Sequence, residues 1–258
     1  MRSRLGRLCW MGTALGFLLL SEALGGSASA ADAGTWLLEI EAGAAWQTRN
    51  DIQIPSDTGT PFALDEIVGS GPYAAPRFEA TWQFAERHGL RLVVAPFEVD
   101  DDGVLPAATD FAGETFAAGT PTRFVYQFDS YRLTYHYCFH DGSRWTWRVG
   151  GTAKIRDARV ELSQSGVSAA DANTGLVPLA HLAGEWRFAP RWRLELVLDA
   201  LAAPQGRAED LSVKIRRNVS ESWSVAFGYR TLEGGADNDE VDTFTWINYA
   251  VVSAACRF

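Results

Sequence analysis

The chain has 258 residues, with 23 basic against 32 acidic side chains, a formal net charge of −9 and three cysteines. The acidic balance excludes nucleic acid as a natural partner. Beyond the first 30 residues no run of 18 or more apolar residues occurs, so the sequence offers no helical membrane span.

The N-terminus carries Arg2, Arg4 and Arg7, then an apolar stretch from Trp10 to Leu20, then small residues through Ala28-Ser29-Ala30. A basic region, a short apolar core and an A-x-A site make a secretory signal peptide over residues 1–30, cleaved before Ala31. The alternative is a membrane anchor, but the apolar stretch is shorter than the about 20 residues a span requires. Cys9 has no lipobox around it. Residues 31–258 contain no linker and no long-period repeat, and are expected to form one domain. Removing residues 1–30 leaves 20 basic against 31 acidic residues.

Period-two alternation then recurs along the whole chain. Residues 35–46 set Trp36, Leu38, Ile40 and Trp46 against Glu39 and Glu41. After a polar loop over 50–76, residues 77–85 set Phe78, Trp82 and Phe84 against Arg77 and Glu79. A short turn at 86–89 leads to Leu90, Leu92 and Val94 against Arg91, and Pro96 marks a bulge or strand end because it cannot donate to a ladder. A second loop spans 100–121.

Residues 123–139 set Tyr131, Leu133, Tyr135, Tyr137 and Phe139 against Arg132, Thr134, His136 and Cys138. The segment 124–128 reads out of phase with this, so a bulge near Asp129 or Ser130 is expected. Across the turn at 140–143, Trp145, Trp147, Val149 and Ile155 oppose Arg148, Lys154 and Arg156. A third loop covers 163–174. Leu176, Leu182, Trp186 and Phe188 oppose His181, Glu185 and Arg187. After Pro190, Trp192, Leu194 and Leu196 oppose Arg193, Glu195 and Asp199. A brief connection at 203–209 precedes Leu211, Val213 and Ile215 against Lys214 and Arg216. Trp223, Val225, Phe227 and Tyr229 then oppose Arg230. A fourth loop spans 233–242.

In the last segment, 241–258, Ala250, Val252, Ala254, Cys256 and Phe258 share one face while Ser253, Ala255 and Arg257 share the other. A strand whose apolar face runs to a terminal aromatic resembles the C-terminal signature of bacterial outer-membrane β-barrel proteins. The resemblance implies recognition of Phe258 by the barrel-assembly machinery. At the level of architecture the chain is similar to the small OmpA-type and OmpW-type barrels.

Connections at 86–89, 140–143, 189–191 and 218–222 are short and those between them longer, the asymmetry of periplasmic turns and extracellular loops. Both ends in the periplasm require an even strand number. The reading is an all-β, up-and-down antiparallel transmembrane barrel of about ten strands, with eight as the alternative, in the outer membrane. A soluble β-sandwich or lipocalin-type barrel would turn the same apolar face inward. It would not need the ring of Phe84, Tyr137, Trp145, Trp186, Phe188, Trp192, Trp223 and Phe258 beside the short turns.

The inward face is charged with both signs: Glu39, Glu41, Arg77, Glu79, Arg91, Arg132, Arg148, Lys154, Arg156, Glu185, Arg187, Arg193, Glu195, Asp199, Lys214, Arg216 and Arg230. Charges inside so narrow a barrel must pair. The expected outcome is a salt-bridged, plugged lumen in a non-enzymatic barrel acting through its extracellular loops or in envelope structure. The alternatives are a narrow, cation-lined channel or small-solute transporter and, second, an outer-membrane hydrolase. For the last, parity places His181 opposite Asp199 across one hairpin, half of a triad without an evident nucleophile.

The acidic stretches 100–102 and 234–240 do not match a Ca²⁺ loop, and no cofactor is expected. Cys138 and Cys256 fall on opposite faces of distant strands and are expected to stay unpaired. The expected partners are the bilayer, lipopolysaccharide and the assembly machinery, with the protein a monomer.

Overall fold

The computed structural model describes residues 34–203 and 206–258. The signal peptide expected over residues 1–30 lies outside the described residues.

The elements are β1 (Thr35–Gln53), β2 (Phe62–Ala63), α1 (Leu64–Val68), β3 (Tyr73–Ala85), β4 (His88–Ala95), β5 (Glu98–Val104), β6 (Thr109–Phe111), β7 (Glu114–Phe116) and β8 (Pro121–Asp141), then β9 (Trp145–Gln164), β10 (Val167–Ala189), β11 (Trp192–Ala203), β12 (Gly206–Asn218), β13 (Trp223–Asp237) and β14 (Asp242–Arg257). Each long strand pairs antiparallel with its neighbour in the chain, and β14 returns to β1 from Leu37↔Arg257 to Gln53↔Asp242. With β4 and β5 serving as two halves of one wall strand against β8, this is a closed barrel of ten strands. Closure gives every wall strand a hydrogen-bonded neighbour on either side, which hydrocarbon demands of any β-structure that crosses it.

The alternation read from the sequence sets the facing of each strand. Tyr131, Leu133, Tyr135 and Phe139 are exposed on the outside of β8, whereas Arg132, Thr134, His136 and Cys138 are buried inside. The two cysteines accordingly remain free, Cys138 in the lumen and Cys256 on the outer face.

The bulge expected near Asp129 or Ser130 does not occur. The register of β8 on β9 runs without a shift from Arg123↔Ser163 to Cys138↔Arg148, and it also continues across the break at Pro96 between β4 and β5. What changes at this level is the chemistry of the lumen. Phe124 and Tyr126 point inward on the same parity as Arg132 because the extracellular half of the barrel encloses an apolar core.

That core is built from the walls and from two inserted segments. Val99, Phe124, Leu162, Ile247 and Tyr249 come from wall strands; Leu64 comes from α1, and Leu105, Phe111 and Phe116 from the segment carrying the β6–β7 hairpin. The backbone N–H of Asn50 donates to Asp65 Oδ1 at 2.8 Å and ties α1 to β1. Phe111, Phe116 and Phe124 are each no more than 1% exposed, and each such burial contributes about 1.5–3 kcal/mol before the entropy cost of ordering the segment.

The long connections also depart from expectation, since most of their residues are strand. β9 and β10 continue to a two-residue turn at Ser165-Gly166, where Gly166 takes φ of 87°. β13 and β14 reach Asp237 and Asp242. Above the membrane the outer face of a strand meets water instead of lipid, so polar side chains coexist with full backbone pairing and imitate a loop composition. At the periplasmic end the turns are tight: Pro190 precedes Arg191, which takes φ of 66°, and Ala189 pairs with Trp192.

This topology places Asp101, Ala170 and Asp237 on the extracellular side and Asp141 in a periplasmic turn, all four exposed. In a background lacking native cysteines, single cysteines at the first three positions should react with a membrane-impermeant maleimide on intact cells. Labelling at Asp141 under the same conditions would invert the topology.

Candidate functional site

Below the apolar core the lumen is crossed by an ion-pair network. Arg132, at the level of Lys154 on β9, donates to Asp199 Oδ2 at 3.3 Å and to Asp210 Oδ2 at 2.6 Å. Arg77 pairs with Glu79 at 2.6 Å and Asp210 at 3.6 Å, and Arg91 with Glu79 at 3.1 Å and Asp199 at 3.7 Å. Arg230 reaches Glu41 at 3.4 Å and Asp210 at 4.0 Å. Lys214 bridges Glu39 and Glu41, and Arg216 bridges Glu39 and Glu195. Arg193 carries the chain on to Glu185, which Arg148 also contacts at 2.5 Å.

Every carboxylate here serves two cations or more, which is how a barrel wall packs many charges into a region from which water is largely removed. Asp199 is the most heavily used: it also accepts from Thr152 Oγ1 at 2.9 Å and from His181 Nδ1 at 2.7 Å. His181 and Asp199 are direct cross-strand partners on β10 and β11.

From this layer to the periplasmic turns the lumen is a cavity of about 1610 Å³. Its lining runs from Asp199, Asp210 and Arg91 at the inner end to Glu86, Asp141, Pro190, Asn218 and Arg257 at the periplasmic mouth. The lumen is thus a cup open to the periplasm and filled above by apolar side chains.

The outer surface carries the complementary pattern. Tyr131, Ile155 and Leu176 are register partners and exposed on the outside; one step higher Asp129, Asp157 and Thr174 stand in the same row. The exterior therefore changes from apolar to polar across a single rung. At the other end stacked aromatics form a belt, Trp36 on Trp82 at 5.6 Å and Trp145 on Trp186 at 5.5 Å. About nine residues of β8, Tyr131 to Phe139, separate the two boundaries, the length a tilted strand needs to cross hydrocarbon.

The architecture is that of an outer-membrane β-barrel.

No family model matches the chain, and no curated protein matches it. Among solved structures it is similar to the outer membrane protease OmpT from Escherichia coli, with 8% identity, 87% of this chain and 97% of that chain covered, and a TM-score of 0.49. It is also similar to Ail, the attachment invasion locus protein of Yersinia pestis, with 9% identity over 88% of this chain and 99% of that one and a TM-score of 0.41. An outer membrane channel from Pseudomonas putida F1 aligns at 9% identity over 92% and 100% of the two chains, with a TM-score of 0.42. Likenesses this distant carry no functional argument, and the assignment of architecture rests on the barrel itself.

Of the lumen residues singled out from the sequence, the structure brings Glu39, Glu41, Glu79, Arg132, Arg148, Glu185, Glu195, Asp199, Lys214, Arg216 and Arg230 into the network, with His181 bound to it. Three stand apart. Arg187 sits at the mouth, donating to Gly142 O and Thr146 Oγ1 at 2.7 Å each. Arg156 lies above the membrane and bonds Asn173. Lys154 is buried over the Phe128 ring, 4.9 Å from its centroid, with no ion pair found among the described residues.

Asp210 was missed, because the strand pattern was begun at Leu211. The parity of Ser212, Lys214 and Arg216 extends back to it and was the available signal.

Proposed function

We propose that this protein is a non-conducting, non-enzymatic outer-membrane barrel that works by binding at its surfaces. The observation that carries the reading is the double filling of the lumen, by an ion-paired layer below and an apolar core above. Wide water-filled channels belong to barrels of about 16 strands or more.

The His181–Asp199 pair supports the non-enzymatic reading. Asp199 is 1% exposed and shared among His181, Thr152, Arg132 and Arg91, so it acts as a junction of the wall. Lipopolysaccharide fits the upper rim, where Arg49 and Arg207 lie 4.6 Å and 5.1 Å from the ring centroid of Phe244. These guanidinium groups stand just beyond Trp46 and Trp246, at the depth where phosphate-bearing lipid begins. Elsewhere on the extracellular side, between β5 and β8, the exposed Arg123 donates to Asp100 at 2.8 Å and holds that carboxyl below its usual range.

Purified, refolded protein in planar bilayers under molar KCl should show no stepwise conductance. Regular ohmic steps would replace this reading with that of a narrow channel.

A further inference from the structure

The exposed arginines at the two ends of the barrel are held differently. On the extracellular side Arg49, Arg123, Arg159 and Arg207 are each paired with a carboxylate, Asp51, Asp100, Glu161 and Glu233 in turn. At the periplasmic end Arg87, Arg144, Arg191 and Arg217 are exposed, and among the described residues no ion pair is found for any of them. The carboxylates of that end are turned elsewhere. Glu86, Asp141 and Glu221 line the mouth of the lumen, and Asp141 is taken by Arg187 at 3.5 Å. In a chain whose acidic groups outnumber its basic ones, a rim of unpaired guanidinium groups points to an anionic partner outside the protein.

Their placement sets the depth of that partner. Arg217 continues the lipid-facing row of Val213 and Ile215 on β12, is the register partner of Trp192, and lies with its guanidinium 5.3 Å from the centroid of that ring. Arg87 lies beside the Tyr137 hydroxyl, where the ring of His88 stands 5.1 Å from that of Tyr137. Arg144 immediately precedes Trp145, whose ring stacks on Trp186. Arg191 immediately precedes Trp192 and, like Arg217, borders the mouth. All four therefore stand at the aromatic belt or one residue beyond it, the level of lipid headgroups.

Around the rim they fall at the start of β4, at the β8–β9 and β10–β11 turns and on β12, which is one arc in the order β4, β8, β9, β10, β11, β12. Above Trp192 the wall of this arc is aliphatic, with Leu194 and Ile215 as register partners and Leu196 beside Val213 one step further.

We propose that this arc selects anionic glycerophospholipid from the periplasmic leaflet, the guanidinium groups taking headgroup phosphates while acyl chains lie on the aliphatic wall. The planar fork of arginine meets phosphate oxygens with two parallel N–H bonds. Stacking on Trp192 fixes the plane of the Arg217 guanidinium without occupying its donors. A zwitterionic headgroup offers the same phosphate but neutralises it with its own ammonium group, so the preference is for lipid of net negative charge. The site belongs to the periplasmic rim alone and stands whether or not the lumen conducts.

The test uses the purified barrel refolded in phosphatidylcholine vesicles containing a trace of spin-labelled phosphatidylglycerol or, separately, spin-labelled phosphatidylcholine. Electron paramagnetic resonance then reads the fraction of each lipid immobilised at the protein surface. At low salt phosphatidylglycerol should be retained over phosphatidylcholine, by roughly fivefold at the position of each arginine, and molar sodium chloride should remove most of the difference. The combined variant Arg87→Gln, Arg144→Gln, Arg191→Gln and Arg217→Gln should retain the two lipids equally. Arg217→Gln alone should lower the ratio part of the way, and it decides the matter if the combined variant fails to refold. Arg159→Gln, at the opposite end, should keep the wild-type ratio. Equal retention of the two lipids by the wild type, a ratio unaltered in the folded variants, or a ratio lowered as far by Arg159→Gln would overturn the proposal.

Discussion

Asp199→Asn should lower the stability of the barrel by about 3–5 kcal/mol, the cost of taking one partner out of a buried charge cluster. Asp199 is 1% exposed and lies 3.3 Å from Arg132 and 3.7 Å from Arg91. Asparagine keeps the shape and one acceptor oxygen but removes the charge, leaving both guanidinium groups to face a network that already holds more cations than carboxylates. Urea unfolding in lipid vesicles, followed by tryptophan fluorescence, should show the midpoint falling well below that of the wild type. His181→Ala should cost less, since it removes one hydrogen-bond partner and leaves the Asp199 charge paired with Arg132 and Arg91. An unchanged midpoint would mean that the network is not held together by charge. Loss of a lipid- or peptide-hydrolysing activity in Asp199→Asn, with stability intact, would make the dyad catalytic and remove the proposed non-enzymatic function.

Phe258→Asp should abolish accumulation in the outer membrane. The Phe258 carbonyl accepts from Trp36 N at 2.8 Å and its N–H donates to Trp36 O at 3.0 Å, so the last residue closes the final rung between β14 and β1. Its ring is 67% exposed at the level of the aromatic belt. An acidic side chain at that depth costs only about 0–1 kcal/mol, and the backbone bonds remain available to aspartate. A severe defect must therefore come from failed recognition during assembly, the role implied by the likeness of this strand to the outer-membrane C-terminal signature. Membrane fractionation and heat-modifiable gel mobility provide the readout. Wild-type levels of folded protein would show that the terminal aromatic is dispensable and that the signal lies elsewhere in the strand.

Most of the wall was legible in the sequence. In the membrane each strand faces lipid on one side and a charged lumen on the other, so the contrast between neighbours such as Leu133 and Arg132, or Leu194 and Arg193, is large and repeats every second residue. Parity and turn position then suffice to set His181 opposite Asp199, because antiparallel pairing about a tight turn keeps a constant sum of residue numbers. The terminal strand was legible for the same reason.

Above the membrane that contrast disappears. Phe124 and Tyr126 looked like a phase error because lipid was assumed outside and charge within, whereas there water is outside and an apolar core within. Nothing local marks the exchange, since it depends on Leu64, Leu105, Phe111 and Phe116 arriving from segments whose composition reads as loop. The partners inside the lumen were equally hidden. Lys214 meets Glu39 and Glu41 across a separation of more than 170 residues, and Arg132 meets Asp210 only because strands far apart in the chain face one another across a narrow cylinder. Alternation along a strand determined which side chains enter the lumen. Closure of the barrel, which brings distant walls within ion-pair reach, decided whom they meet.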